Sequence, residues 1–245
     1  MSGHSKWKNI MHKKEKTDAQ RASVFTKIGK EIAIAVKEGG PDPVSNSKLR
    51  DLITKAKSNN VPNDNIERII KKASGAEAVA YEELSYEGYG PSGVAVIVEA
   101  ATDSKNRTAG NVRHGFDKFG GNLGQSGCVG FLFSEKGVVI VSGVDEYGDV
   151  VVDSDKLMED ALECGAADFL EEENIFTIYT EPDDLSSVCD ALTEKGYKFE
   201  SAEKAKVPAT YVSLSPEDAE KMTKMLDYFE EDDDIVNVYH NWDEN

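Results

Sequence analysis

Apolar positions recur at helical spacing through the first third of the chain. Thr17 and Gln20 match a capping box, in which the Thr hydroxyl and the Gln amide satisfy free backbone N–H groups. Val24, Phe25, Ile28, Ile32 and Val36 then share one face, and Gly39-Gly40-Pro41 ends the helix, since Gly permits a left-handed cap and Pro cannot continue it. A second helix carries Leu49, Leu52, Ile53 and Ala56 and ends at Asn59-Asn60. A third begins near Asn63, carries Ile66, Ile69, Ile70 and Ala73, and ends at Gly75. Three short amphipathic helices with short connections predict a three-helix bundle.

The pattern changes after Gly75. Glu77 to Tyr81 reads as a linker. Val94–Val98 reads as a buried strand, 106–119 as a helix, and Val129–Phe133 and Val138–Val141 as strands. A helix near Lys156–Cys164, a strand at Ile175–Tyr179, a helix near Asp184–Lys195 and a strand start at Tyr197–Phe199 follow. Tyr211–Leu214 is a further strand, Ser215-Pro216-Glu217 caps a helix running to about Glu230, and Ile235–Tyr239 is the last strand. The expected class is α+β: an N-terminal three-helix bundle, then two ferredoxin-like α/β domains, one inserted in the other. The expected boundaries are 1–76 for a basic helical domain with a flexible N-terminal tail, 80–136 plus 207–245 for one α/β domain, and 137–206 for the inserted one.

Charge changes the picture. The net charge of −18 argues against a polyanionic partner. Residues 1–75, however, hold 16 Lys and Arg against 8 Asp and Glu, a net of +8, and the remainder carries −26. Such a split points to a basic binding module on an acidic body. Residues 1–16 show no hydrophobic period and read as a tail. Its Lys6-Trp7-Lys8 and His12-Lys13-Lys14-Glu15-Lys16 place an aromatic among cations, which suits base stacking and phosphate neutralisation. Packing of Trp7 on the bundle is the alternative.

The candidate nucleic-acid contacts are Lys6, Trp7, Lys8, Lys13, Lys14 and Lys16 of the tail, and Arg21, Lys27 and Lys30 of the first helix. On helix 106–119, Ala109, Val112, Phe116 and Phe119 share the face expected to pack on a sheet, and Arg107, Asn111, His114 and Lys118 share the opposite one. Arg107, His114 and Lys118, with Lys105 and Arg113, form a basic island that is either a second contact or a solvated face. The third helix carries Asp64 and Glu67 in its first turn, unlike a helix that reads base edges. The second, with Lys48, Arg50, Lys55 and Lys57, is better suited, but its cations spread around its circumference.

Other chemistry recedes. Gly88-Tyr-Gly90-Pro-Ser-Gly93 matches a dinucleotide pattern, but Pro91 interrupts it and a strand follows, so it reads as a hairpin connection. Gly120-Gly121 and Gly124 read as turns. The acidic run Glu230 to Asp234 reads as a solvated turn rather than a cation site. His4, His12, His114 and His240 show no metal spacing, and Cys128, Cys164 and Cys189 form no Cys-x-x-Cys pair. Cys128 has no identifiable base. No catalytic residue, metal, cofactor, membrane contact or small-molecule substrate is expected. The polar, basic N-terminus lacks the apolar core of a signal peptide, so a cytoplasmic location is expected.

Seven segments together carry a resemblance: Gly3-His-Ser-Lys-Trp-Lys8, Phe25-Thr-Lys-Ile28, Glu87-Gly-Tyr-Gly-Pro91, Asn106-Arg-Thr108, Val112-Arg-His114, Gly120-Gly-Asn-Leu-Gly124 and Val238-Tyr-His-Asn241. The chain resembles the YebC/PmpR family, which includes the mitochondrial translational activator of cytochrome oxidase, and the resemblance spans essentially its whole length. It implies a helical bundle and two α/β domains, nucleic-acid binding and no catalysis. Members are usually described as DNA-binding transcriptional regulators. Others act on translation at the ribosome, at difficult sequences such as proline runs. The expected function is a nucleic-acid-binding regulator of gene expression, with DNA or ribosomal RNA as partner and the ribosome as a further one. Rival classes are a metal-dependent nuclease using Glu87, Glu99 and Asp103, and a scaffold whose acidic domains bind a basic protein.

Overall fold

The computed structural model describes residues 18–75, 78–145 and 147–244, with side chains from residue 21 onward. Three helices open it: α1 (Asp18–Gly39), α2 (Ser47–Ser58) and α3 (Asn63–Ala73). Ile28, Ile32, Leu49, Ala56 and Ile66 close over a common core. Gly40, at φ +84°, ends α1 in a conformation that side chains with a Cβ avoid. Asn46 then ties two helices: its side chain accepts from the N–H of Leu49 at the start of α2 and donates to the carbonyls of Ala35 and Gly40.

A first sheet comprises β1 (Glu82–Tyr89), β2 (Ala95–Thr102), β3 (Asn122–Leu123) and β9 (Ile235–His240) in the order β3-β1-β2-β9, all pairs antiparallel. One face, carrying Val94, Val96, Val98 and Ala100, packs against α4 (Lys105–Lys118) and α7 (Pro216–Glu231) through Val112, Phe116, Met222, Met225 and Phe229. Each fully buried side chain of this size contributes about 1.5–3 kcal/mol of transfer free energy. Gly115 lets the helices approach: a Cβ there would lie 2.5 Å from the Phe229 ring. The short pair β8 (Val212–Ser213) and β10 (Trp242–Asp243) lies alongside.

Between β3 and β8 the chain builds a second sheet from β4 (Phe133–Ser142), α5 (Ser154–Glu163), β5 (Asp168–Glu172), β6 (Ile175–Thr180), α6 (Leu185–Glu194) and β7 (Ser201–Pro208). Its order, β5-β6-β4-β7, with every pair antiparallel, is the ferredoxin-like βαββαβ arrangement. Leu157, Ala161, Leu185, Val188 and Leu192 cover one face of it. The first sheet has a different order: its strands run third-first-second-fourth along the chain, and its two central strands, β1 and β2, are joined directly as an antiparallel pair. The class is therefore the expected mixture of an N-terminal helical bundle and α/β sheet domains.

Several local expectations need correction. Val129–Phe133 is not a strand: Gly130–Leu132 is a 3₁₀ turn and β4 begins at Phe133. The cause is Glu87, whose carboxylate accepts from the N–H groups of Gly127, Val129 and Gly130 at 2.7–2.9 Å and so competes with a strand ladder. Tyr197–Phe199 precedes its strand, because the Tyr197 hydroxyl is tied to Asp160 at 2.6 Å, and β7 starts at Ser201. Strands β1 and β5 had no counterpart in the reading of the sequence. Nor is the acidic run a fully solvated turn, since Asp234 is buried.

Candidate nucleic-acid interface

Asp234 sits in the turn between α7 and β9 and organises much of the basic chemistry expected to face solvent. Lys30 Nζ reaches its Oδ1 at 2.8 Å, and Arg107 Nη2 reaches Oδ2 at 2.6 Å. The hydroxyls of Thr102 and Thr108 donate to the same Oδ2 at 3.1 Å each. Burial alone would raise this carboxyl, but the bonds from Lys30 and Arg107 prevail and hold it at about 2. The Lys30 ammonium also donates to the Asp233 carbonyl, and Lys27 Nζ donates to the Glu230 carbonyl at 2.5 Å. Ser23 donates to Asp233, and Asn111 to Asp232. This turn therefore fastens α1 to the first sheet domain through Lys27 and Lys30, and draws in Arg107 from α4.

The remaining expected contacts fall into three groups. Lys6, Trp7, Lys8, Lys13, Lys14 and Lys16 lie outside the described residues. Arg21 is exposed near the start of α1. His114 and Lys118 are exposed on α4, both against Tyr228: the His114 ring centroid lies 6.0 Å from the Tyr228 ring, and Lys118 Nζ lies 5.3 Å from it. Lys118 also sits 5.1 Å over Phe119. The tyrosine thus fixes two side chains at one spot on the surface. The structure groups His114 with Lys118 at Tyr228, whereas Lys27 and Lys30 are bonded to the acidic turn.

On the bundle, Arg50, Lys57, Arg68, Lys71 and Lys72 are exposed. Other cations of α2 are committed. Lys48 pairs with Glu38 and Glu83. Lys55 is buried where three parts of the chain meet, with Glu31 of α1 at 3.0 Å, Glu203 of β7 at 3.3 Å and Asn237 of β9 at 3.1 Å. Burial opposes its charge, yet Glu31 and Glu203 outweigh that and raise the Lys55 ammonium well above its ordinary value. Burial likewise raises the Glu31 carboxyl, against the pull of Lys55. From Asn237 the network continues to Glu99 of β2, which pairs with Lys206 of β7. Sequence reading missed this junction. Its one signal is Glu31, a carboxylate set between the apolar positions Ile28 and Ile32.

The carboxylates of the nuclease reading are each otherwise engaged. Glu87 caps the 127–130 loop, Glu99 binds Lys206 and Asn237, and Asp103 binds Arg107. Among the described residues, no His, Cys, Asp and Glu side chains gather into a group able to hold a metal ion. Also among them, no helix is long and apolar enough to cross a membrane.

Comparisons with known proteins agree along the whole chain. Residues 5–76 match the TACO1/YebC protein N-terminal domain, and residues 81–242 match the TACO1/YebC second and third domain. A probable transcriptional regulatory protein of Acetivibrio thermocellus is 57% identical over 244 residues, covering 99% of both chains. One from Hathewaya histolytica is 56% identical, covering 98% of this chain and 96% of its own. A crystal structure of a conserved hypothetical protein from Aquifex aeolicus superposes with a TM-score of 0.81 at 43% identity, covering 93% of this chain and 92% of that one. The bundle, the sheet domains and these matches together make the chain a member of the TACO1/YebC family, whose relatives carry the name of regulatory proteins.

Proposed function

We propose that this protein regulates gene expression in the cytoplasm, without catalysis, by binding nucleic acid through its N-terminal basic module, and that its preferred target is structured ribosomal RNA rather than duplex DNA. The observation that carries the reading is the segregation of charge, +8 over residues 1–75 against −26 over the rest. Cationic contacts to phosphate release counterions and drive association. An acidic body opposes long contact along a duplex, whereas one basic arm with an aromatic suits irregular, partly unpaired RNA.

The disposition of α2 supports the same choice. It is the bundle helix best furnished with cations, yet Lys55 is buried, Ser58 Oγ accepts from the Ala202 N–H, and Asp51 binds Lys204. A helix held along its length by another domain is poorly placed to enter a major groove. The names of the relatives favour transcription, which is the second reading. A competition titration at fixed salt, with labelled ribosomal RNA against random duplex and a candidate promoter, separates the two. Tighter binding to the RNA, with little discrimination among duplexes, is expected. A promoter preference of about a thousandfold over random duplex restores the transcriptional reading.

A further inference from the structure

Between α1 and α3 lies a cavity of about 350 Å³, at the lower end of the range of small-ligand sites. Phe25, Ile69 and Tyr81 supply apolar and aromatic wall. Asn65, Arg68 and Lys72 stand along its α3 side, spaced so that all three share one helix face. Gly29 brings the helices close, since a Cβ there would already lie 3.4 Å from Ile69.

Charge distinguishes this groove from the rest of the molecule. The chain contains 46 Asp and Glu, yet none is among the described residues that line the cavity. Lys30 at its inner edge is matched by Asp234. Arg68 donates only to the neutral Asn65 amide oxygen, at 2.9 Å, and neither Arg68 nor Lys72 has an ion pair among the described residues. The site thus offers two aromatic side chains, Phe25 and Tyr81, the second with Lys30 Nζ 5.6 Å from its ring centroid, a side-chain amide beside Arg68, and two exposed cations at the rim.

We propose that the groove holds one unpaired nucleotide of a single-stranded nucleic acid, its base against the aromatic wall of Phe25 and Tyr81 and its flanking phosphates on Arg68 and Lys72. The proposal rests on the reading of the protein as a nucleic-acid binder and assigns that reading a specific pocket. An aromatic wall accepts any base, because every base has a π-face. Asn65 then gives a modest preference through the base edge. A second anionic chain with apolar side chains, such as an acidic peptide, would match the rim but gain less from two aromatic rings.

The test uses the full chain and a short oligouridine carrying 2-aminopurine at its centre, whose emission falls when the base stacks. The parent chain is expected to quench it. Ala33→Leu, which fills the groove, should abolish the quenching and weaken binding about tenfold. Arg68→Gln with Lys72→Gln changes exposed residues only and so leaves the fold intact. It should weaken binding and lower the dependence on salt by about two phosphate contacts. RNA bound with unchanged quenching and affinity in both variants overturns the pocket and leaves the nucleic-acid reading standing. Failure of the parent chain to bind any nucleic acid overturns both. If, in a Trp242→Phe background that leaves Trp7 as the sole tryptophan, Ala33→Leu alters the tryptophan emission and not the 2-aminopurine signal, the groove is taken by the chain itself and the proposal is wrong.

Discussion

Lys55 Nζ lies 3.0 Å from Glu31 Oε2, and the pair is buried at the point where the bundle, the first sheet and the inserted sheet meet. Their side chains are only 12% and 11% exposed, so removal of one partner strands the other in a poorly solvated place. Lys55→Ala should therefore cost about 3–5 kcal/mol of unfolding free energy, read from urea transitions. Glu31→Gln combined with Lys55→Met should recover part of that loss, since Glu31 then carries no charge, and only part, because Glu203 still loses Lys55. A cost below about 1 kcal/mol for Lys55→Ala would mean that water reaches the junction.

Glu87 and Cys128 give a second prediction. Burial and the nearby Glu87 charge both raise the Cys128 thiol. Backbone N–H groups that bond to Glu87, led by that of Val129, overcome burial and lower its own carboxyl. Glu87→Gln weakens three charge-assisted bonds and removes a negative charge, so the 127–130 loop should loosen at a cost of about 1–2 kcal/mol. Alkylation of Cys128 by iodoacetamide at neutral pH should then accelerate several-fold. An unchanged alkylation rate would show that the carboxylate neither holds the loop nor acts on the thiol.

His240 makes stability depend on pH. Its side chain is 4% exposed, and burial lowers its pKa to about 4. The Nδ1 atom lacks a hydrogen-bond partner among the described residues, while Nε2 lies 3.6 Å from the Glu244 carboxylate. Between pH 6.5 and 4 the unfolded chain takes up a proton that the folded one resists. The stability contributed by neutral His240 is thus present above pH 6.5 and is lost as pH falls toward 4. From pH 7 to 5 the loss should be about 2 kcal/mol, and His240→Phe should flatten that part of the profile. The same slope in both chains would place the titration elsewhere.

The helices were legible because apolar spacing carries most of their information. α2 and α3 were expected around Leu49–Ala56 and Ile66–Ala73, and these residues lie within the observed Ser47–Ser58 and Asn63–Ala73. Strands rich in β-branched residues, such as Val138–Val141, were equally plain. β1, with the sequence Glu-Glu-Leu-Ser-Tyr-Glu-Gly-Tyr, was not, because its ladder comes from pairing with β2 and β3 rather than from propensity. β5, with its terminal carboxylates, was hidden for the same reason. Of the site, the sequence shows which residues are cationic but not which are matched. Lys27, Lys30 and Arg107 find acidic or carbonyl partners more than 120 positions away, in the turn at 230–234. No local pattern announces such pairs.

The central claim is that the basic N-terminal module carries the contact with nucleic acid, and the dependence of affinity on salt tests it most directly. Binding of ribosomal RNA is measured across a salt series for the parent chain and for one in which Lys6, Lys8, Lys13, Lys14 and Lys16 are all replaced by Gln. The logarithm of affinity should fall linearly with the logarithm of salt concentration, and the substituted chain should bind more weakly with a shallower slope, because fewer counterions are released. Equal slopes and equal affinities for the two chains would contradict the account and move the interface to another part of the molecule.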